Sequence, residues 1–118
     1  MAKKISGGKY IPFRKKRLSD VLGKPRMTSF GKDKKKMVRT RGGKMKPAML
    51  FAETANLTDP KTKQTKRVKI KGVVRSPANR YFKNVMVKGT IISTESGNAI
   101  ITNRPGQEGS VSAMLISE

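Results

Sequence analysis

The side chains that can do chemistry in this chain are its lysines and arginines, which number 28 against 7 aspartates and glutamates. They are concentrated in runs such as Arg14–Arg17 and Lys34–Lys36. Ammonium and guanidinium groups bind phosphates and carboxylates, and guanidinium can also contact two oxygens of one phosphate. With a net charge of +21, the isolated protein repels itself unless a polyanion neutralises it. The predicted chemistry is therefore polyanion binding.

Catalysis is not expected, because the chain has no histidine and no cysteine. This composition removes imidazole acid–base chemistry, thiolate chemistry and most zinc sites. The acidic residues show no spacing typical of metal ligands, and the strings Gly7-Gly8-Lys9 and Gly42-Gly43-Lys44 lack the Walker pattern of a phosphate loop. We expect no enzyme activity, no metal, no cofactor and no small-molecule substrate.

Nucleic acid is the expected polyanion. A membrane surface would require an amphipathic helix with a wide apolar face, whereas the basic segments contain several glycines. No apolar run approaches the roughly 18 residues of a membrane span, and no signal-peptide pattern is present, so we expect a soluble intracellular protein with no membrane partner. The sequence has no DNA-reading motif, and a glycine-rich polycation suits the crevices of a folded RNA.

The charge is unevenly distributed along the chain. Residues 1–47 contain seventeen basic and two acidic residues, a net charge of +15, whereas residues 48–118 carry +6. Residues 1–36 have too few large apolar side chains to offset their ordering entropy, so we predict a basic arm that is disordered in isolation, followed by a body over 37–118. One helical turn is predicted over Leu18–Leu22, capped by Ser19 or Asp20 and ended by Gly23.

Three aromatic residues, Tyr10, Phe13 and Phe30, are interleaved with the arm's cations. They could stack on unpaired bases or fill apolar hollows on the surface that the arm crosses. The charged arm itself could instead be a solvated tail, and its Arg14–Arg17 cluster could be a nuclear targeting signal.

The body is built around the stretch Arg67–Arg75, which alternates with a period of two. On a strand, alternate side chains point to opposite faces. One predicted face packs the core and the other displays cations: Val68, Ile70, Gly72 and Val74 inward, Arg67, Lys69, Lys71 and Arg75 outward.

Further short strands are predicted on either side of this stretch, at 37–41, 48–55, 89–94, 99–102 and 110–116, and the apolar residues of 85–87 precede the strand at 89–94. They are joined by turns at Gly42-Gly43, Asn56–Thr62 and Ser96–Asn98, by a helical turn over Ser76–Phe82 with Tyr81 or Phe82 packed inward, and by a loop at Arg104–Gly109. About six short strands without a long helix predict an all-β protein, a small closed or nearly closed β-barrel.

Five strings occur in the order seen in one protein family: Lys4–Lys9, Arg39–Gly43, Ala55–Thr62, Ser76–Arg80 and Asn103–Gly109. Through them the chain resembles the small-subunit ribosomal protein S-eight-e family over nearly its whole length. The eukaryotic members carry an insertion in the barrel that is absent here, which implies the short archaeal form. Many members also have a short leading segment before the string that corresponds to Lys4–Lys9.

The resemblance implies a β-barrel body with a basic N-terminal extension. It also implies a cytoplasmic, ribosome-bound protein that contacts small-subunit rRNA and neighbouring small-subunit proteins. The glycine pairs would let the backbone approach RNA, with Lys9, Arg39, Arg41 and Lys44 on phosphates. Arg104 would either contact RNA or shape its own loop.

The full set of predicted RNA-binding residues covers the arm, the first hairpin and the barrel: Lys3, Lys4, Gly7, Gly8, Lys9, Arg14, Lys15, Lys16, Arg17, Lys24, Arg26, Lys34, Lys35, Lys36, Arg39, Arg41, Gly42, Gly43, Lys44, Lys46, Arg67, Lys69, Lys71, Arg80 and Arg104. Two other functions stay open. One is a ribosome-assembly factor of the related large-subunit processing branch, and the other is a non-ribosomal RNA chaperone.

Overall fold

A computed structural model of the chain describes residues 3–21, 23, 26–78, 81 and 84–116. Over these residues the fold is nearly all β, as predicted, with nine strands rather than about six. The strands are β1 (Thr28–Phe30), β2 (Lys34–Arg39), β3 (Met45–Ala52), β4 (Thr54–Thr58), β5 (Thr65–Arg75), β6 (Val85–Met86), β7 (Ile91–Thr94), β8 (Gly97–Ile101) and β9 (Ser112–Leu115). A 3₁₀ turn spans Leu18–Asp20, and a short helix, α1, spans Pro105–Glu108.

Five strands close into a barrel in the order β4-β5-β7-β8-β9. All neighbouring pairs are antiparallel except β4 and β9, which run parallel. The inward-facing side chains form an apolar core that includes Leu57, Ile70, Ile92, Ile101 and Val111. Closure pairs every strand on both sides, which leaves the small barrel without an open sheet edge.

The remaining strands form a second sheet in the order β2-β3-β1-β6. In β1 the Thr28 side chain is buried, and its Oγ1 donates a hydrogen bond to the Met49 carbonyl at 2.8 Å. Strand structure therefore begins at Thr28 and not at Met37 as the sequence indicated. The described residues before Thr28 are all exposed.

The predicted strand over 48–55 is two strands that belong to different sheets. It divides at Glu53, where the chain leaves β3 of the second sheet and enters β4 of the barrel. β4 then continues through Thr58, so the following turn begins at Asp59 and not at Asn56. The Asp59 carboxylate accepts hydrogen bonds from the Lys61 amide and the Thr62 hydroxyl, the turn chemistry that Asp before Pro predicts.

β5 keeps its predicted faces only in its first half. Ile70 pairs with Thr94 and is buried, but the register shifts before Gly72 and again after Val73. Each extra residue of such a bulge reverses the faces that follow it. As a result Val73 pairs with Ile92 and packs against the core, while Val74, predicted to be buried, is exposed.

The local turns also differ from the sequence-based expectations. The described part of the 76–82 segment is not helical, and the Ser76 hydroxyl accepts from the Ala78 amide. Tyr81 is exposed, and Phe82, the other residue predicted to pack inward, lies outside the described residues. The β7–β8 hairpin turns at Glu95-Ser96, so Gly97 already belongs to β8. The turn predicted over Leu18–Leu22 is present as 3₁₀ structure from Leu18 to Asp20, and Leu22 lies outside the described residues.

Candidate nucleic-acid interface

The cations of this protein face solvent. Every lysine and arginine in the described residues is exposed. Within that part of the chain only two of them form ion pairs with a carboxylate: Arg14 with Asp20 at 2.6 Å and Arg67 with Asp33 at 3.5 Å. The positive charge is therefore largely available to an external anion.

Each of the three aspartates helps to hold the fold by accepting a backbone hydrogen bond. Asp20, Asp33 and Asp59 accept hydrogen bonds from the backbone amides of Arg17, Glu53 and Lys61, respectively. The side-chain bond from Arg14 is the main cause of the lowered pKa of Asp20. The backbone bonds from Glu53 and Lys61 are the main causes of the lowered pKa values of Asp33 and Asp59. These carboxylates stay ionised at neutral pH, and they serve the fold.

A cleft between the two sheets brings together two predicted RNA-binding residues that lie far apart in the sequence. Lys35 of β2 and Arg67 of β5 line this cleft of about 170 Å³, together with Asp33 and Asn56. Nε and Nη2 of Arg67 donate to Thr54 Oγ1 at 3.2 and 3.0 Å. The guanidinium is thus held in place while its side chain stays 70% exposed, as a phosphate-binding group requires.

The cationic row of β5 continues from Arg67 through Lys69 and Lys71 to Arg75, and all four are exposed. Arg67 and Lys69 are alternate residues in the regular part of the strand, about 6.6 Å apart along its axis, whereas the register shifts around Lys71 and Val74 make the spacing of the later cations irregular. Such a row suits an extended phosphate backbone better than a single small anion.

The β2–β3 hairpin presents a second cationic edge. Gly42 and Gly43 have φ values of 82° and 80°, which confirms the left-handed turn expected there. The turn is closed by Thr40, whose amide and hydroxyl both donate to the Lys44 carbonyl at 2.7 and 2.9 Å. The predicted RNA-binding cations of this hairpin are all exposed: Lys34, Lys35, Lys36, Arg39, Arg41, Lys44 and Lys46.

The first residues form a small loop of their own. Lys3 and Lys9 pair in an antiparallel bridge, and the Lys4 amide donates to the Gly8 carbonyl at 2.8 Å. Gly7 has a φ of 81° and nothing within 4 Å of a Cβ built on it, so the backbone is open to close approach. The bridge and turn place Lys3, Lys4 and Lys9 around one loop.

The arm aromatics are not buried in the protein. Phe13 is 94% exposed, with the Arg14 guanidinium carbon 5.5 Å from its ring centroid, and Tyr10 has Lys4 Nζ at 5.8 Å. Phe30 lies in β1 and is also exposed. The rings remain available for either of the predicted uses.

A further group of cations surrounds α1, which replaces the predicted loop after Arg104. Arg26, Lys88 and Arg104 line a hollow on one side of α1, and Arg26 and Lys46 line a larger one. The Arg104 side chain is exposed and makes no hydrogen bond to any described residue. Lys88 was not among the residues predicted from the sequence. The one sequence feature beside it is Gly89, which has a φ of 86° and forms a turn.

Two predicted RNA-binding residues, Lys24 and Arg80, lie outside the described residues.

Over the part that is described, no cluster of three or more acidic side chains could hold a metal ion. The same part contains no helix that is long and apolar enough to cross a membrane.

Comparison with known proteins identifies the family of the chain. The family model of ribosomal protein S8e matches residues 1–116. The small ribosomal subunit protein eS8 of Methanosphaerula palustris is 42% identical over 97% of this chain and 93% of its own length. The eS8 protein of Sulfolobus acidocaldarius is 42% identical over 99% and 94%, and that of Picrophilus torridus is 40% identical over 97% and 93%. The chain therefore belongs to the ribosomal protein S8e family.

Proposed function

We propose that this protein is a structural constituent of the small ribosomal subunit, where it binds and stabilises folded rRNA through phosphate contacts. Membership of the S8e family supports a ribosomal structural role and not an enzymatic one. The observation that supports the RNA contact is that all the described cations are exposed and that only Arg14 and Arg67 among them are paired with acids in that part of the chain. Each phosphate contact releases condensed counterions and so adds affinity that falls with salt.

Three surfaces would share the RNA contact. The N-terminal segment contributes the loop around Lys3–Lys9 and the Arg14–Arg17 cluster, the β2–β3 hairpin contributes a cationic edge, and the barrel contributes the β5 row. The cleft that holds Lys35 and Arg67 links the hairpin to the barrel. A surface of this breadth suits a folded RNA with several strands of backbone nearby.

The far side of the barrel suits a protein neighbour. Ile100 of β8 and Met114 of β9 are cross-strand partners, and both are more than a third exposed. The only basic residue in 89–118 is Arg104, so this side offers little to a phosphate backbone. We propose that it contacts another small-subunit protein.

The cellular setting follows from the same proposal. A small-subunit protein is bound to the ribosome in the cytoplasm. The three relatives compared are small-subunit proteins whose lengths this chain nearly spans, which supports the short archaeal form.

Sedimentation tests the proposal against both alternatives. Extracts containing the tagged, full-length chain are separated on sucrose gradients after a high-salt wash. A structural constituent stays with mature small subunits, since its RNA contacts are buried within the particle. Recovery mainly with large-subunit precursors would identify an assembly factor, and recovery in RNA-containing fractions free of subunits would identify an RNA chaperone; either result overturns the proposal.

A further inference from the structure

We infer that the hollow on one side of α1 binds an unstacked nucleobase of the RNA, with the adjoining phosphates on Arg26, Lys88 and Arg104. This inference rests on the proposed function, because rRNA is the partner that would supply the base. It goes further by separating this hollow from the purely electrostatic surfaces: here one base, and not only the backbone, is held.

The floor of the hollow is apolar and its rim is cationic. Met86 and Pro105 lie at the floor and are both buried, and Val87 beside them is half-buried. Arg26, Lys88 and Arg104 line the same hollow and are exposed. No carboxylate is among the described residues that line it.

This combination fits a nucleotide and fits other ligands poorly. Bases removed from a stack are held between apolar or aromatic side chains and read through hydrogen bonds at their edges. The hollow has a volume of about 250 Å³, smaller than the roughly 300–1,000 Å³ of ordinary ligand pockets, so it suits a single ring system. Three cations around an apolar floor complement one base and the phosphates on either side of it.

Gln107 supplies a group that could read the base edge. Its side-chain Oε1 accepts a hydrogen bond from Lys46 Nζ at 3.2 Å, which orients the amide. The amide nitrogen of Gln107 then has two hydrogens to donate. Carbonyl oxygens and ring nitrogens on base edges accept such bonds.

The backbone of residue 26 is held against α1 by close packing. A Cβ built on Gly106 would lie only 2.5 Å from the Arg26 carbonyl oxygen, so the backbones of α1 and residue 26 are in direct contact. Arg26 thereby separates this hollow from a larger one of about 420 Å³, which is lined by Lys46 and Thr40 among others. The backbone that carries Arg26 is therefore in place before RNA arrives, which lowers the ordering cost of binding.

Methyl NMR of the full-length protein, with the methionine methyl groups ¹³C-labelled, tests the inference. The probes are an oligouridine of about eight nucleotides and an oligomer of the same length whose sugars carry no bases, compared at one salt concentration. We expect the oligouridine to bind at least about fivefold more tightly, since a stacked base adds affinity beyond its phosphate. The Met86 methyl signal should move with oligouridine and stay in place with the abasic oligomer, while that of Met114, exposed on the far side of the barrel, serves as the reference.

Substitutions of the rim cations test whether they contribute to oligouridine binding. Lys88→Ala and Arg104→Ala should each weaken oligouridine binding by about fivefold through the lost charge-assisted contact. Lys61→Ala, which removes an exposed lysine from the turn after β4, is the matched control and should change it less. All three side chains are exposed, so each variant should keep the methyl spectrum of the folded protein.

Equal affinity for the two oligomers, with no movement of the Met86 signal, would reject the base-binding hollow. If the protein still bound a transcript of small-subunit rRNA under those conditions, the proposed function would stand and only this inference would fall. Absence of binding to the rRNA transcript as well would remove both.

Discussion

The backbone amide of Glu53 donates a hydrogen bond to Oδ1 of Asp33 at 2.7 Å, and this contact joins the loop before β2 to the bend between β3 and β4. The other carboxylate oxygen, Oδ2, accepts from the Thr54 hydroxyl at 3.1 Å and lies 3.5 Å from Arg67 Nη2. One carboxylate thus fixes the point where the chain passes from the second sheet into the barrel. It also orients a cation of the cleft.

We predict that Asp33→Asn destabilises the protein at neutral pH by about 1 kcal/mol, the lower part of the range for charged hydrogen bonds, because the side chain is 33% exposed. The pKa of Asp33 is lowered in the folded protein, chiefly by the Glu53 amide. Its contribution is therefore fully present above the unfolded pKa of about 3.9 and is lost as the pH falls through the lower folded pKa. Urea unfolding between pH 7 and pH 2 measures the difference in free energy of unfolding between wild type and variant.

The difference should be constant at neutral pH and shrink below about pH 4. Glu95→Gln, a substitution at an exposed acidic residue, is the control and should leave stability nearly unchanged across the range. A difference of the same size at pH 7 and pH 2 would show that the carboxylate's charge is not what holds the bend.

Two glycines allow the packing of α1 to be measured apart from backbone strain. Gly109 ends α1 at a φ of 69°, and a Cβ there would lie 2.7 Å from Cβ of Pro47 in β3. Gly42 has a similar φ of 82° but nothing within 4 Å of a built Cβ. Gly42→Ala therefore carries only the left-handed strain of about 1–2 kcal/mol.

Gly109→Ala should cost at least about 1 kcal/mol more than Gly42→Ala, because the added methyl group must push α1 away from β3. Denaturant unfolding of the two variants gives this difference directly. Equal losses of stability would mean that α1 can move away from Pro47 at no cost.

The sequence predicted those features that depend on neighbouring residues. Alternation placed Ile70 in the core and Lys69 in solvent, and paired glycines predicted the β2–β3 turn. Val74 was predicted wrongly to face the core, because the register shifts of β5 arise from its pairing with β7, whereas Arg75 is exposed as predicted. The alternation within β5 does not indicate where an extra residue enters its pairing with β7.

The sequence also provided no indication of contacts between distant segments of the chain. The division at Glu53 depends on Asp33, twenty positions earlier, and a run of apolar residues gives no sign of it. Lys35 and Arg67 were each identified as candidates, but their meeting in one cleft follows from how the two sheets lie against each other. Lys88 was missed because it stands alone in the sequence, and its cationic neighbours come from Arg26 and Arg104.

Substitutions on the two faces of β5 should have different effects. Ile70→Asp places a carboxylate in the barrel core, where the Ile70 side chain is buried, and should unfold the protein or nearly so. Lys69→Ala removes an exposed cation and should change the free energy of unfolding by less than about 0.5 kcal/mol while weakening binding to an rRNA transcript. Circular dichroism and filter binding measure the two effects, and similar damage to folding by both variants would contradict the assignment of the faces.

Removal of the N-terminal segment tests how much of the RNA contact it carries. The deletion must end before Arg26 and Thr28, because Arg26 contacts Gly106 and Thr28 is buried in β1. Deletion of residues 1–21 removes only exposed residues from the described part of the chain, so the two sheets should remain folded. It also removes seven cations: Lys3, Lys4, Lys9, Arg14, Lys15, Lys16 and Arg17.

Binding of this shortened protein to an rRNA transcript should be weaker and less dependent on salt. Each lost phosphate contact lowers the slope of log affinity against log salt by about 0.7–0.9, so a drop of several units is expected if most of these cations touch phosphates. A full-length variant with the same seven cations replaced by glutamine is the matched control and should show the same flattened slope. A slope unchanged from wild type in both proteins would assign the phosphate contacts to the hairpin and the barrel, because the remaining cations would then account for all of the counterion release.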